Sequence, residues 1–573
     1  MGFADYIDYL NTLHNAGAQN ENAIAEQQIY TEYNSQIAVS RKIEKVIYDK
    51  ILKEDVTIIL TGHAGDGKTF LLFQVLKKLG VKQFGEKDFL EFCGKKIFYI
   101  KDMSELNDEE QKRLLIKGIE NSNNNGSSLI ISNTGPLIKN IKKIYGEEYE
   151  SEILEKIDLN DGEILKLGDS RDKILIINIA RIDNTCFIKE FLKQLIQDKL
   201  IDEENINKES YIYNNLKLIK ENFEIISEFI ANFYRFCYEN DNRFTIRQII
   251  SHIAYSITGN LTYEDSIGKD LIDYNIFNLF FGYKGMTFQE ETLQIRGVRE
   301  LKRLELDCVV LPGEEVIFVN DSFENINILI KENLETKWKL ALSENNEEDL
   351  YLTEYLTENK NIRRMIRRAY MFFNILDFNL EEKKVCRKII YNSIYHSVFI
   401  EYLCMKYNGE DIKGLKSILF DGLFKIYTGF DRKEEKNIFI TLKKDGYFVQ
   451  NVQLIVGKLE KKDLKIKKDK IENNCEESNI YKQYLYIGKD KIELNLPMIN
   501  YFFNLKKGIL DTNMSPQLNH GIDRIKYKIY EYVKNEKFDE EETSFLVLTN
   551  RGTKELSLDY DFDGEKFNGI RVN

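Results

Sequence analysis

Five residues in the stretch "VTIILTGHAGDGKTFLLFQVLKKLG" (56–80) have the types and spacing for phosphate chemistry: Gly62, Gly65, Gly67, Lys68 and Thr69. Gly62, Gly67, Lys68 and Thr69 fit G-x-x-x-x-G-K-[ST]. Glycines let backbone N–H groups turn inward around phosphate oxygens, and the helix that follows adds its positive N-terminal end. In that chemistry Lys68 reaches the β- and γ-phosphates and Thr69 ligates magnesium, so ATP and Mg2+ are the expected ligands. The pattern demands a strand before and a helix after, and both flanks are apolar in the required way. His63 and Asp66 fill variable positions, where exposed loop residues are expected.

Hydrolysis further needs an acid near the metal and a group that orients water. Asp102 ends the apolar run "IFYIKD", where a metal-binding acid would stand. Met103 follows it in place of a second acid, and Glu105 is the candidate for orienting water. The bland alternative is that Asp102 caps the next turn and Glu105 is solvated. Asn133, at the tip of "SLIISNTG", is a candidate phosphate sensor if its strand lies beside the loop strand as in an AAA-type sheet; a plain Asx turn is the alternative. Arg181, Arg243 and Arg247 could each meet a γ-phosphate through the planar guanidinium fork, and Arg247 in "NRFTIRQII" is the preferred one. Asp321 in "VIFVND" falls outside the α/β stretch and is better explained as a hairpin end.

These residues need a scaffold. "KIFYIKD" (96–102), "SLIISNTGPL" (128–137) and "KILIINIARID" (173–183) read as buried parallel strands, separated by helices over 108–122, 136–148 and 187–201. Alternation of strand and helix is the α/β signature. The expected fold is an α/β P-loop NTPase core of AAA-like build, with a helical lid, a helical middle region and a C-terminal α+β region. The expected boundaries are an N-terminal arm over 1–35, the core over 36–201, the lid over 202–290, a mostly helical domain over 291–435 and the α+β domain over 436–573. Residues 304–319 read as a hairpin, and the charge-dense stretch 458–478 as an exposed linker.

Composition excludes several classes. The chain has 573 residues, 43% hydrophobic and 31% charged, as in a core-forming protein. No apolar run reaches the length of a membrane helix, and the acidic, polar start is unlike a secretory signal. Seven scattered cysteines without a CxxC pair argue against zinc or a disulfide framework, so a reducing cytoplasm is expected. A formal net charge of −13 argues against a uniformly basic DNA-coating protein but leaves room for a local basic surface. "DYDFDG" (559–564) begins like a calcium loop, but Ile570 stands where the closing Glu belongs. The four arginines of "NIRRMIRRAYMFF" (361–373) read as salt-bridge partners ahead of phosphate ligands. No nuclease constellation and no Ser–His–Asp set is evident.

Taken together, "TGHAGDGKT", "KDMSEL", "SNTGPL", "NRFTIRQIISHIAYSITG" and "RRMIRRAYMFF" resemble the ATPase subunit of DNA-phosphorothioation-dependent restriction systems, the DptF/DndF type. The resemblance spans about residues 55–375. It implies a cytoplasmic ATPase that joins protein partners, among them a HerA-like motor, in a bacterial antiphage complex that reaches DNA through its assembly. An oligomer is compatible with it. The family's nucleotide role carries over to Gly62, Gly67, Lys68 and Thr69, and less securely to Asp102, because Met103 departs from the usual paired acids. Two alternatives stay open: a nucleotide-gated scaffold that hydrolyses little and recruits an effector, and an AAA-type loader or chaperone acting on protein.

Overall fold

The computed structural model describes residues 2–15, 32–81, 87–160, 162–168, 172–201, 206–308, 332, 335–336, 353–373, 413–429, 431–432, 436–442, 451–471, 480–509, 514–536, 543–549, 552–560 and 567–572. The hairpin expected over 304–319 and Asp321 lie largely outside these residues; Leu306–Cys308 is a 3-10 turn. The chain divides into two compact units, in the main Met1–Ser393 and Ile394–Asn573.

The first unit is a mixed α/β structure with many helices. Its sheet contains β1 (Thr57–Thr61), β2 (Lys87–Phe92), β3 (Lys95–Ile100), β4 (Ser127–Ile131), β5 (Leu165–Leu167) and β6 (Asp172–Asn178), in the spatial order β2-β3-β4-β1-β6-β5. The four middle strands are parallel, with Ile59 level with Ile130 on one side and Ile176 on the other. β1 and β4 are buried along their whole lengths, which is why they read as unbroken apolar runs. β2 and β5 pair antiparallel at the two edges; β2 has no fully buried position among 88–92 and β5 has only three residues, so neither left such a run in the sequence. Helices Lys42–Lys53 and Lys68–Lys78 cover one face, around Ile47, Leu72 and Leu129. Asp108–Asn123, Thr134–Tyr145 and Glu150–Leu159 lie with the core of the other face, around Leu115, Ile141 and Ile153.

The remaining helices of this unit share a second core. It includes Tyr211–Glu221, Phe223–Glu239, Ile246–Thr258 and Thr353–Phe373. The helix Phe3–Asn15 belongs to the same core through Phe3, Tyr6, Ile7, Leu10 and Leu13. Those positions keep helical spacing, although the polar residues between and after them blurred the period. Tyr6 Oη donates to Leu195 O at 2.8 Å and Asn11 Nδ2 to Leu261 O at 2.8 Å, fixing the helix in place.

His252 sits inside this core. Its Nε2–H donates to Phe280 O at 2.8 Å, so Nδ1 accepts from Tyr234 Oη at 2.7 Å. The ring fits because residue 297 is glycine; a Cβ there would fall 2.0 Å from Nδ1. Burial holds His252 at about 4, against an ordinary 6.5, and burial also lowers His14 to about 4. The unfolded chain therefore binds protons that the folded chain refuses. Stability is fully present above pH 6.5, is lost as pH falls from 6.5 towards 4, and levels off below that. His252 alone accounts for up to about 3 kcal/mol over that window. Urea unfolding should show a lower midpoint at pH 5.5 than at pH 7.5; a flat profile would contradict the neutral, buried ring.

The second unit has its own core, with Leu419, Leu485, Phe502, Ile525 and Leu546 among its members. With the two-stranded hairpin of the first unit counted as β7 (Tyr283–Lys284) and β8 (Thr287–Phe288), its strands are β9 (Asn437–Leu442), β10 (Val452–Glu460), β11 (Leu464–Ile471), β12 (Ile480–Ile487), β13 (Asp490–Glu493), β14 (Thr543–Thr549), β15 (Gly552–Tyr560) and β16 (Phe567–Val572). They form a five-stranded sheet, β16-β15-β14-β10-β9, and a three-stranded one, β11-β12-β13. Of the stretch expected to be an exposed linker, 458–471 is strand apart from a 3-10 turn at Lys461–Asp463, and 472–478 lies outside the described residues. In β11 the period-2 residues Leu464, Ile466 and even Lys468 turn inward while Lys465 and Lys467 face out. "DYDFDG" runs from the end of β15 into residues outside the described set.

Candidate functional site: a cleft around the glycine-rich loop

Residues 62–67 join β1 to the helix Lys68–Lys78, whose N-cap is Gly67 in the left-handed region. Two glycines are needed for packing. Gly62 has φ 147°, and a Cβ there would lie 3.0 Å from Ala180 N. Gly65 has φ 84°, and its Cβ would meet Thr245 Oγ1 at 3.1 Å and Arg247 Cβ at 3.2 Å. The second contact reflects how the helix Ile246–Thr258 meets the loop. Thr245 and Gln248 form a capping box at its start, and Arg247 N donates to Gly65 O at 3.2 Å. The N-terminal end of a second helix therefore rests on the loop.

Lys68 is buried to 7% exposure, and its ammonium is held by oxygen ligands. Nζ donates to Gly62 O at 2.8 Å, His63 O at 3.1 Å and Asn133 Oδ1 at 3.1 Å. Burial lowers its pKa, while Asp102 and Asp66 pull it back up. Because β4 lies directly beside β1, Asn133 comes to the loop. Its backbone N–H donates to Ser104 Oγ at 2.7 Å. Asp102 accepts from Ser104 N at 2.8 Å, so it does cap the turn Met103–Glu105, and it also lines the cleft. Glu105 is exposed on the same turn and lines the cleft; Met103 is fully buried.

Asp66 corrects the sequence reading. It is fully buried, not an exposed loop residue. Oδ2 accepts from His63 N at 3.0 Å, and Oδ1 pairs with Arg243 Nη1 at 2.7 Å. Arg243 also donates to Ile179 O and Ile182 O, so one guanidinium ties the loop, the end of β6 and the base of the Ile246–Thr258 helix together. Arg243 is thus a brace of the loop. His63 is exposed, as expected, and Arg181 is exposed and is not among the described residues lining the cleft. Arg243→Ala should cost about 3 kcal/mol or more, because it strips a buried carboxylate of its cation. Faster hydrogen exchange of the loop amides should accompany the lower denaturation midpoint. Arg243→Lys should rescue only part, since a single ammonium nitrogen does not reproduce the spread, planar guanidinium that reaches Asp66 and the two carbonyls from separate nitrogens.

The cleft has a volume of about 520 Å3. Along its polar side stand Gly65, Gly67, Lys68, Thr69, Asp102, Glu105, Asn133 and Arg247. Gly62 lies at the loop's base, with its carbonyl on Lys68. The lining also includes apolar residues, among them Tyr9, Leu13, Phe187 and Ile250. Arg41 also lines the cleft, with Nη1 donating to Asp66 O at 3.3 Å and its guanidinium 4.9 Å over the Phe187 ring. Sequence reasoning missed these apolar residues and Arg41. Nothing local marks them, since they come from the first helix, the segment before Lys42, the turn Thr185–Phe187 and the helix Ile246–Thr258. Ser104 was within reach, being in the same "KDMSEL" as Asp102.

The residues present fit a magnesium nucleotide. A glycine-rich loop with an ammonium beside it would suit phosphates, and a hydroxyl and a carboxylate at Thr69 and Asp102 would suit a hard cation. Among the described residues no cluster of three or more His, Cys, Asp or Glu could hold a metal alone. No helix among the described residues is long and apolar enough to cross a membrane. Comparison with protein-family models, curated proteins and solved structures finds no match for this chain.

Proposed function

We propose that the chain binds ATP with Mg2+ in this cleft and hydrolyses it, as a P-loop NTPase of AAA-like build. The observation that carries this is convergence: the loop, Asp102, Glu105, Asn133 and Arg247, taken from four separate sequence segments, line one cleft with Lys68, together with apolar residues that could receive a base. On binding, Lys68 would exchange its carbonyl partners for phosphate oxygens. The amides of the loop and the end of the Lys68–Lys78 helix would hold the anionic chain. Magnesium, held by Thr69 and Asp102, would draw charge from the phosphates. Glu105 is the group to orient the attacking water, Asn133 to fix its position, and Arg247 to meet the charge that spreads over the γ-phosphoryl.

Met103, buried where a second acid would stand, favours a second reading in which the nucleotide is held and turned over slowly, gating the recruitment of an effector. We further propose, on the resemblance alone, that the chain serves in the cytoplasm as the ATPase of a DNA restriction or antiphage complex, with a HerA-like motor among its partners. Phosphate release measured with and without DNA separates these readings. DNA-stimulated turnover supports the restriction reading, and tight binding with negligible turnover under both conditions supports the gate.

A further inference from the structure

We propose that the outer face of the β11-β12-β13 sheet binds single-stranded nucleic acid. This rests on the second unit alone and is independent of the nucleotide reading.

The register builds the face. Tyr484 and Tyr486 stand two residues apart on the central strand β12, and so on one side, about 7 Å from each other. Lys465 and Lys467 of β11 lie across from Tyr486 and Tyr484, and Lys491 of β13 flanks Tyr486 from the other side. Lys482 lies on the same face of β12. Lys465, Lys467 and Lys491 are exposed and both tyrosines half-buried, while the opposite face, with Ile466, Leu485 and Ile492, is in the core. Two acids share the outer face: Asp469, 2.8 Å from Lys491, and Glu493, 2.9 Å from Lys482. Four lysines against two acids leave a positive face on a chain whose net charge is −13.

Charge and shape together select the partner. An aromatic column framed by lysines is what an unpaired strand needs, with rings for bases and ammoniums for phosphates. A double helix hides its bases and would use only the lysines. A solvated edge that merely discourages aggregation needs lysine but no aromatic column. Lys491 Nζ rests 3.7 Å from the centre of the Tyr484 ring and Lys467 Nζ 5.4 Å from that of Tyr486. Both stems are flexible, so an incoming base takes the ring while the ammonium moves to the phosphate.

The test is fluorescence anisotropy of a labelled oligothymidine with the full chain, without ATP, with duplex of equal length as competitor. We expect binding that weakens with salt at a log–log slope of about −2, as for three lysine–phosphate contacts on a single strand. Lys465→Glu/Lys467→Glu/Lys491→Glu should abolish it, whereas Lys166→Glu/Lys173→Glu/Lys193→Glu, the same charge change in the first unit, should not. Tyr484→Leu should weaken it roughly tenfold and Tyr484→Phe should preserve it. The lysine variants alter exposed side chains, so they keep the test valid if Tyr484→Leu unfolds. No binding, binding indifferent to the lysine reversals, or duplex competing equally well would overturn the proposal.

Discussion

Lys68→Ala will lower ATP turnover by about 10²- to 10³-fold, the usual loss when one preorganised donor to developing charge is removed. The effect follows from where the ammonium stands. It is the cation that the loop carbonyls of Gly62 and His63 and the Asn133 side chain already draw into the cleft. Without phosphates those oxygens satisfy it; with phosphates it has a stronger acceptor within reach of its flexible stem. Ground-state affinity should fall less, by about 10- to 100-fold, since the charge-assisted bond contributes some 1.5–3 kcal/mol. Lys68→Arg should rescue poorly, because a broad, planar guanidinium does not replace a compact ammonium that reaches its oxygens from one nitrogen. Phosphate-release assays on both variants, with melting curves to show that they are folded, check this. Unchanged turnover in Lys68→Ala would remove the loop from the chemistry.

The largest effect on stability will come from Asp307→Ala. Asp307 accepts from Arg364 Nε at 3.2 Å and Nη2 at 2.9 Å, and from Arg368 Nη1 at 3.0 Å. Arg368 is fully buried, 3.8 Å over the Tyr283 ring, and its remaining donors go to Asn278 Oδ1 and Gly285 O. Burial lowers the Arg368 pKa and Asp307 opposes the shift, so the carboxylate is what keeps this cation tolerable. Removing it strands one wholly buried and one half-buried arginine, at a cost of about 3–5 kcal/mol. Asp49→Ala, which breaks the pair with Lys53 in which both side chains are exposed, should change stability by less than about 1 kcal/mol. Urea unfolding of the two variants gives the comparison. Equal effects would mean that the buried triad is no stronger than a surface pair.

The triad also shows what sequence could reach. "NIRRMIRRAYMFF" puts its arginines among apolar helix positions, which pointed to salt bridges, but the partner lies far upstream and could not be named. The loop and its flanks were legible because strand, turn and helix are contiguous. Asp102 and Asn133 were legible because each ends an apolar run, and strand ends in a parallel sheet gather at one edge. Asp66 was not, because its burial depends on Arg243, a residue that only the fold brings near. Nor was the apolar lining, whose residues come from separate segments that no local pattern links. In β11 the obstacle was chemical. Lysines on both faces hide a period-2 pattern that two apolar residues and a buried Lys468 nonetheless obey.

The central claim is that the cleft around Lys68 holds a magnesium nucleotide, and titration calorimetry of ATP into the full chain tests it most directly. With magnesium present we predict a single saturable site, weakened when the metal is chelated and lost or reduced at least about tenfold in Lys68→Ala. No heat of binding, or the same isotherm in the wild type and Lys68→Ala, would contradict the account.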